Sequence, residues 1–132
     1  MPPILTGLRV LVVDDQASVR VLLTKVLQHA GADVTAVGSS HDALAAFERA
    51  RPDVLVSDIR MPGEDGYTLL RKVRQLSEGR GGQIPAVAIS ASIGEDEEPR
   101  VYAAGFQQFV RKPFEPAAVR NAVATASGRA AS

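Results

Sequence analysis

The chain has 132 residues, with 15 acidic and 15 basic side chains and a formal net charge of zero at pH 7. This length suits one domain, and the balanced charge argues against a protein that binds nucleic acid through an excess of basic residues. The absence of cysteine excludes disulfides, thiol nucleophiles and cysteine-bound metals. Because the sequence has neither a run of about 18 apolar residues nor a signal peptide, we expect a cytoplasmic protein.

Taken in chain order, the sequence predicts alternating strands and helices. Residues 1–7 are expected to form a short leader, and "LRVLVVDD" (8–15) a strand that ends in two acids. The apolar spacing within residues 16–31 indicates one face of a helix, which Gly31 ends. The other predicted strands lie at 33–37, 53–58, 84–91 and 106–110, the other helices at 39–50, 63–76, 94–105 and 115–126, and a frayed tail at 127–132.

Five units of a strand followed by a helix predict a parallel sheet with helices on both faces. The first, third and fourth strands are continuously apolar, which is the pattern that burial on both faces produces. Right-handed crossovers restrict the topology, and the flavodoxin-like strand order 2-1-3-4-5 fits five units. We therefore expect a single doubly wound (βα)5 domain of class α/β over residues 8–126.

Polar residues collect where the predicted strands end. Asp14 and Asp15 end the first strand, Asp58 ends the third, Ser90 ends the fourth, and Lys112 follows the fifth. Ligands of such sheets bind outside the carboxyl ends of the strands, so we expect these side chains to meet there. Carboxylates without histidine or cysteine suit a hard cation such as Mg²⁺, and lysine suits phosphate. The pattern indicates metal-assisted phosphoryl transfer, with Asp58 as the nucleophile that becomes an acyl phosphate.

The segments "VLVVDD", "SDIRMPGEDGY", "AISA" and "FVRKPF", in this order, resemble the receiver domain of two-component response regulators. Among receivers, the chain looks most like those of hybrid histidine kinases. The resemblance covers residues 8–126. It implies a signalling switch that is activated by phosphorylation and that catalyses only its own magnesium-dependent phosphorylation and dephosphorylation.

The resemblance also implies roles for individual residues. Asp58 is the expected phosphoacceptor, and the Lys112–Pro113 bond is expected to be cis. The expected ligands of Mg²⁺, which Mn²⁺ can replace, are Asp14, Asp15, Asp58 and the backbone carbonyl of Arg60. The phosphoryl group is expected to contact Ser90, Lys112 and the backbone of Ala91, and the conformational switch is expected to involve Ser90 and Phe109.

A histidine kinase or a histidine phosphotransfer domain is the expected phosphodonor. We expect it to dock on the first helix, where Val19, Val21 and Leu22 lie outside the core stripe. We expect no direct contact with nucleic acid or a membrane, and a monomer or weak dimer. The sequence does not identify the downstream protein.

Two further expectations concern side chains near the predicted site. The Arg60 side chain is expected to lie over the mouth of the site, where the small Ser92 leaves space, or else to pair with Glu64 or Asp65. The acidic segment "GEDEEP" (94–99) is expected to be a solvated helix start, because acids favour the amino terminus of a helix.

Two alternative functions stay open at this point. A pseudo-receiver would bind partners without chemistry and stay unmodified by acetyl phosphate. A magnesium-dependent phosphohydrolase with an aspartyl-phosphate intermediate would hydrolyse general phosphate esters. Such hydrolases usually carry an acid two residues after the nucleophile, where this chain has Arg60.

Overall fold

The computed structural model describes residues 4–91 and 96–129. Its five parallel strands form one sheet in the order β2-β1-β3-β4-β5, which confirms the predicted doubly wound fold. The strands are β1 (Arg9–Val13), β2 (Asp33–Val37), β3 (Val54–Asp58), β4 (Ala86–Ser90) and β5 (Gln108–Arg111). The helices are α1 (Ala17–His29), α2 (Ser40–Ala50), α3 (Gly66–Arg74), α4 (Glu97–Ala104) and α5 (Pro116–Ala126).

The sheet separates two apolar cores, which explains why its central strands are continuously apolar. In β1, Val10 and Val12 pack with buried residues of α1 and α5 on one face. Leu11 and Val13 pack with buried residues of α2, α3 and α4 on the other face. Every residue of β3 and β4 is buried, so both strands lie in the interior of the domain.

Local capping sets where the helices begin. The Ser39 side chain accepts a hydrogen bond from the backbone of Asp42 at the start of α2, and Asp65 accepts one from Thr68 at the start of α3. Because Asp65 is the capping residue, α3 begins at Gly66 and not at residue 63 as predicted. Between α3 and β4 lies a short 3-10 helix, Glu78–Arg80.

The described parts of the predicted leader and tail contact the domain. Leu5 is fully buried in the first core, and its backbone nitrogen donates to the Ala30 carbonyl at 2.8 Å. Near the other end, the Arg129 guanidinium donates to the Thr6 carbonyl at 2.7 Å. The folded unit therefore extends beyond residues 8–126 on both sides, while residues 1–3 and 130–132 lie outside the described ranges. Within those ranges, no helix has the length and apolar character needed to cross a membrane.

Candidate functional site

Three acids meet at the carboxyl edge of the sheet. Asp14 and Asp15 directly follow β1, and Asp58 is the last residue of β3, the strand that pairs with β1. Each acid offers a carboxylate oxygen within 4.8 Å of the other two. Asp14 and Asp58 are buried, and Asp15 is exposed. The parallel pairing of β1 with β3 thus concentrates negative charge at one edge of the sheet.

Lys112 supplies positive charge to this cluster. Its ammonium nitrogen lies 2.9 Å from Asp14 Oδ2 and 3.3 Å from Asp58 Oδ2. Its backbone nitrogen donates to the Ser90 carbonyl at 2.9 Å, which fixes the end of β5 against the end of β4. The Lys112–Pro113 peptide bond is cis. Burial alone would lower the pKa of Lys112, but the adjacent carboxylates of Asp14 and Asp58 hold that pKa above its usual value.

The environment of Asp58 favours its neutral form. Burial, followed by the negative charge of Asp14, raises the pKa of Asp58 from 3.8 to about 6. Lys112 and the Arg60 backbone nitrogen, which donates to Asp58 Oδ1 at 3.3 Å, act in the opposite direction. The nearby lysine is therefore not sufficient to offset the cost of an ionised carboxylate at this position.

The donor set fits a magnesium ion. It consists of carboxylate oxygens without nitrogen or sulfur, which hard cations prefer. When all groups are ionised, three carboxylates and one ammonium leave an excess of two negative charges, which a divalent cation would neutralise. Asp14, Asp15 and Asp58 could hold the ion, and the Arg60 carbonyl stays a predicted fourth ligand.

Ser90, at the end of β4, binds a buried acid that the sequence analysis missed. The Ser90 hydroxyl donates to Glu97 Oε1 at 3.2 Å. The other oxygen of Glu97 accepts hydrogen bonds from the Tyr67 hydroxyl at 3.2 Å and from the Arg60 guanidinium at 3.3 Å. Burial, followed by the charge of Glu97, raises the pKa of Tyr67. Glu97 is only 3% exposed, so the expectation of a solvated helix start was wrong for this residue.

The expected pairing of the Arg60 side chain with Glu64 or Asp65 is wrong, whereas its expected place over the mouth of the site stays a prediction. Glu64 pairs with Lys72, and Asp65 caps α3, so neither acid is the partner of Arg60. The guanidinium lies instead against Glu97. One signal in the sequence could have revealed this buried acid: Val101 follows Glu97 by four residues, and both therefore lie on the inner face of α4. The predicted space at Ser92 lies outside the described residues.

The remaining predicted residues lie on β5 and α1. Phe109 is half-buried against the second core, with the Arg111 guanidinium 5.7 Å from the centre of its ring. On α1, Val21 and Leu22 are 54% and 45% exposed, whereas Val19 packs partly against the first core. The switch role of Phe109 and the docking surface on α1 both stay predictions.

Comparisons with known proteins agree with this architecture. Residues 10–124 match the family described as "Response regulator receiver domain". An uncharacterized 14.6 kDa protein of Leptolyngbya boryana is 38% identical over 85% of this chain and 84% of its own length. The virulence sensor protein BvgS of Bordetella bronchiseptica is 37% identical over 95% of this chain, which spans only 10% of BvgS.

A solved structure of a receiver domain has the same fold. The receiver domain of a sensor histidine kinase from Pseudomonas aeruginosa, with a magnesium ion coordinated in its active site cleft, superposes with a TM-score of 0.81 and 28% identity. The superposition covers 93% of this chain and 99% of that domain. The similarity to BvgS is also compatible with the expected likeness to receivers of hybrid kinases. The family match, the confirmed fold and the acidic edge of the sheet all agree. This chain therefore belongs to the receiver domain family of two-component response regulators.

Proposed function

We propose that this chain is a signalling switch that accepts a phosphoryl group on Asp58 from a histidine kinase or a histidine phosphotransfer domain, with Mg²⁺ bound beside it. The environment of Asp58 is the main support. Asp58 is 4% exposed and ends a central strand, and its carboxylate lies near two other acids and faces an ammonium group at 3.3 Å. A purely structural acid would gain nothing from two acidic neighbours, whereas a phosphoacceptor needs the cation that they bind.

The proposed transfer forms a bond between a carboxylate oxygen of Asp58 and phosphorus. It breaks the bond between phosphorus and a ring nitrogen of the donor histidine. The other ring nitrogen keeps its proton, so the histidine leaves as a neutral imidazole. When acetyl phosphate is the donor, the broken bond joins phosphorus to oxygen, and acetate leaves.

The surrounding residues would neutralise and orient the transferred group. Asp14, Asp15, Asp58 and the Arg60 carbonyl would bind Mg²⁺ or Mn²⁺, whose charge offsets the repulsion between phosphoryl oxygens and carboxylates. The Lys112 ammonium, already 3.3 Å from Asp58, would contact a phosphoryl oxygen. The Ser90 hydroxyl and the Ala91 backbone nitrogen would donate to the other oxygens, and Phe109 would respond to the movement of Ser90.

Protein donors would dock on α1. Val21 and Leu22 are apolar, exposed and located on the helix that follows Asp14 and Asp15. A surface of this kind beside the acidic cluster would bring a donor histidine close to Asp58. A cytoplasmic location and a downstream protein partner belong to the same proposal.

The alternative of a phosphohydrolase finds little support in the geometry. The residue two positions after Asp58 is an arginine, and its guanidinium is directed to Glu97. An acid at this place would be needed to protonate a leaving group. We therefore propose no activity on other substrates.

Incubation with acetyl phosphate and Mg²⁺, followed by intact-mass measurement, tests the proposal. The wild type is expected to gain one phosphoryl group, and Asp58→Asn is expected to gain none, while Asp33→Asn, which changes an exposed acid of β2, should behave like the wild type. An unmodified wild type would support the pseudo-receiver alternative. Sustained release of phosphate from an unrelated ester would support the hydrolase.

A further inference from the structure

Glu97 joins three parts of the fold that the phosphorylation site needs. Its carboxylate accepts hydrogen bonds from Ser90 at the end of β4, from Arg60 after β3 and from Tyr67 on α3. The acid itself is the first residue of α4. Burial of a carboxylate is costly unless charge and hydrogen bonds compensate it, so these three donors keep Glu97 in its present place.

Two of these donors are also suited to a phosphoryl group on Asp58. The main chain of β4 pairs with that of β3 so that Ile89 lies opposite Asp58, which places Ser90 directly beyond the acceptor. Arg60 lies two residues after Asp58, and its backbone nitrogen already donates to the Asp58 carboxylate. A hydroxyl carries one proton and can give it to one strong acceptor at a time. The bond to Glu97 therefore competes directly with a bond from Ser90 to a phosphoryl oxygen.

Charge favours an exchange once Asp58 is phosphorylated. An acyl phosphate brings about two negative charges and several acceptor oxygens to a position that carried one charge. Both Glu97 and the phosphoryl group would then attract the same hydroxyl and the same guanidinium. Arg60 can move between them because its side chain is half exposed and its contact with Glu97 is a single hydrogen bond of 3.3 Å.

We propose that Glu97 is a positioning residue of the unphosphorylated state, which binds the Ser90 hydroxyl and the Arg60 guanidinium until the phosphoryl group on Asp58 takes both from it. This inference rests on the proposed phosphorylation of Asp58. After the exchange, Tyr67 is the remaining one of the three donors to the Glu97 carboxylate. The first turn of α4 then loses the contacts that fixed it to β4 and to the loop after β3, so the position of α4 depends on the state of Asp58.

Glu97→Gln is the most direct test, because glutamine keeps the shape of the side chain and removes its charge. A neutral acceptor binds the Ser90 hydroxyl more weakly, so we expect phosphorylation by saturating acetyl phosphate and Mg²⁺ to become about fivefold faster. The concentration of acetyl phosphate at half-maximal rate should stay unchanged. Glu98→Gln is the matched control, since Glu98 is the adjacent but exposed acid of the same helix.

A variant without the Ser90 hydroxyl distinguishes a positioning role of Glu97 from a general change in the fold. In a Ser90→Ala background, Glu97→Gln should give no further gain in rate, because no hydroxyl remains to be released. Tyr67→Phe gives a second test of opposite sign that keeps the buried ring. Without the Tyr67 hydroxyl, the Glu97 carboxylate binds the Ser90 hydroxyl and the Arg60 guanidinium more strongly. Both are then released less easily, so phosphorylation should become slower by about twofold.

The outcomes distinguish this inference from the proposed function. A wild type that takes up no phosphate overturns the proposed function and the exchange together. A phosphorylated wild type with an unchanged rate in Glu97→Gln, or with an equal gain in the presence and absence of the Ser90 hydroxyl, overturns only the role of Glu97. A faster Tyr67→Phe variant would also overturn it.

Discussion

Replacing Asp58 by asparagine is expected to stabilise the metal-free fold at neutral pH. The pKa of Asp58 is about 6 in the folded protein, against 3.8 for the ordinary side chain. The ionised carboxylate is therefore less favourable in the fold than in the unfolded chain. Asparagine has nearly the same shape, carries no charge and can still accept the hydrogen bond that the Arg60 backbone gives to Asp58.

The pKa difference sets the size of the effect. A shift of about two pKa units, at about 1.4 kcal/mol per unit, corresponds to about 3 kcal/mol. The lost ion pair with Lys112 is already contained in that shift. We expect the free energy of unfolding of Asp58→Asn to exceed that of the wild type by about 2–3 kcal/mol at about pH 7.5.

The effect has a defined pH dependence. Asp58 has a raised pKa in the fold, so the folded protein binds more protons than the unfolded chain between about pH 4 and pH 6. The stabilisation from the neutral carboxyl is present below this window and is lost as the pH rises through it. The advantage of the asparagine variant should therefore be small near pH 4 and reach its full size above about pH 6.

Urea denaturation followed by far-ultraviolet circular dichroism, in the presence of a chelator, measures this difference. Asp33→Asn is the control, because Asp33 is an exposed acid whose replacement should change the free energy of unfolding by no more than about 0.5 kcal/mol. Adding Mg²⁺ should stabilise the wild type more than the asparagine variant and reduce the gap. Equal stabilities of wild type and Asp58→Asn at all pH values without metal would refute the reasoning.

Three further predictions concern the site and its support. Val21→Glu should slow phosphoryl transfer from a protein donor severalfold and leave transfer from acetyl phosphate unchanged, because Val21 is exposed on α1 and is not among the residues that would bind the metal or the phosphoryl group; parallel transfer assays with both donors test it. Arg60→Ala should shorten the lifetime of the acyl phosphate severalfold, since a guanidinium bound to the phosphoryl oxygens excludes the attacking water; phosphate loss after removal of the donor measures it. Gly66→Ala should lower the free energy of unfolding by more than about 2 kcal/mol, because its added methyl group would lie 2.5 Å from the Asp58 carbonyl oxygen. Gly79→Ala is the control in the same urea titration, because no atom lies within 4 Å of its new methyl group.

Each of these predictions has an outcome that contradicts it. Equal slowing with both donors would mean that Val21→Glu damages the acceptor site itself. An unchanged or longer acyl phosphate lifetime would leave Arg60 as a partner of Glu97 alone. Similar stabilities of the two glycine variants would show that the loop before α3 can move away from β3.

The sequence predicted those parts of the site that depend on the strands. Asp14, Asp58 and Lys112 could be placed together because parallel strands end at one edge of a sheet, so their positions follow from topology alone. Glu97 could not be placed in this way. The four-residue spacing to Val101 indicates the inner face of α4, but the partners of Glu97 depend on how α3 and α4 approach each other and on the direction of a long side chain from the loop after β3, which no period in the sequence records.

The ends of the domain illustrate the same limit. The sequence predicts a short leader at residues 1–7, which include Leu5, and a stretch of this length carries no helical or strand period that would reveal its burial. The structure buries Leu5 beneath the end of α1, where its backbone bonds to Ala30. Similarly, the contact between Arg129 and Thr6 joins residues 123 positions apart, and such a contact becomes visible only when the sheet has brought both segments together.

That contact makes the domain a candidate for circular permutation. Arg129 and Thr6 lie beside the beginnings of the strands, about 16 Å, the length of a five-residue strand, from the edge that carries Asp58. A short glycine-rich linker between the two ends would replace a contact that already exists, and new ends could be opened at the exposed Gly79. A reporter group attached at Gly79 would lie at the edge of the sheet opposite to Asp58 and would leave α1 uncovered.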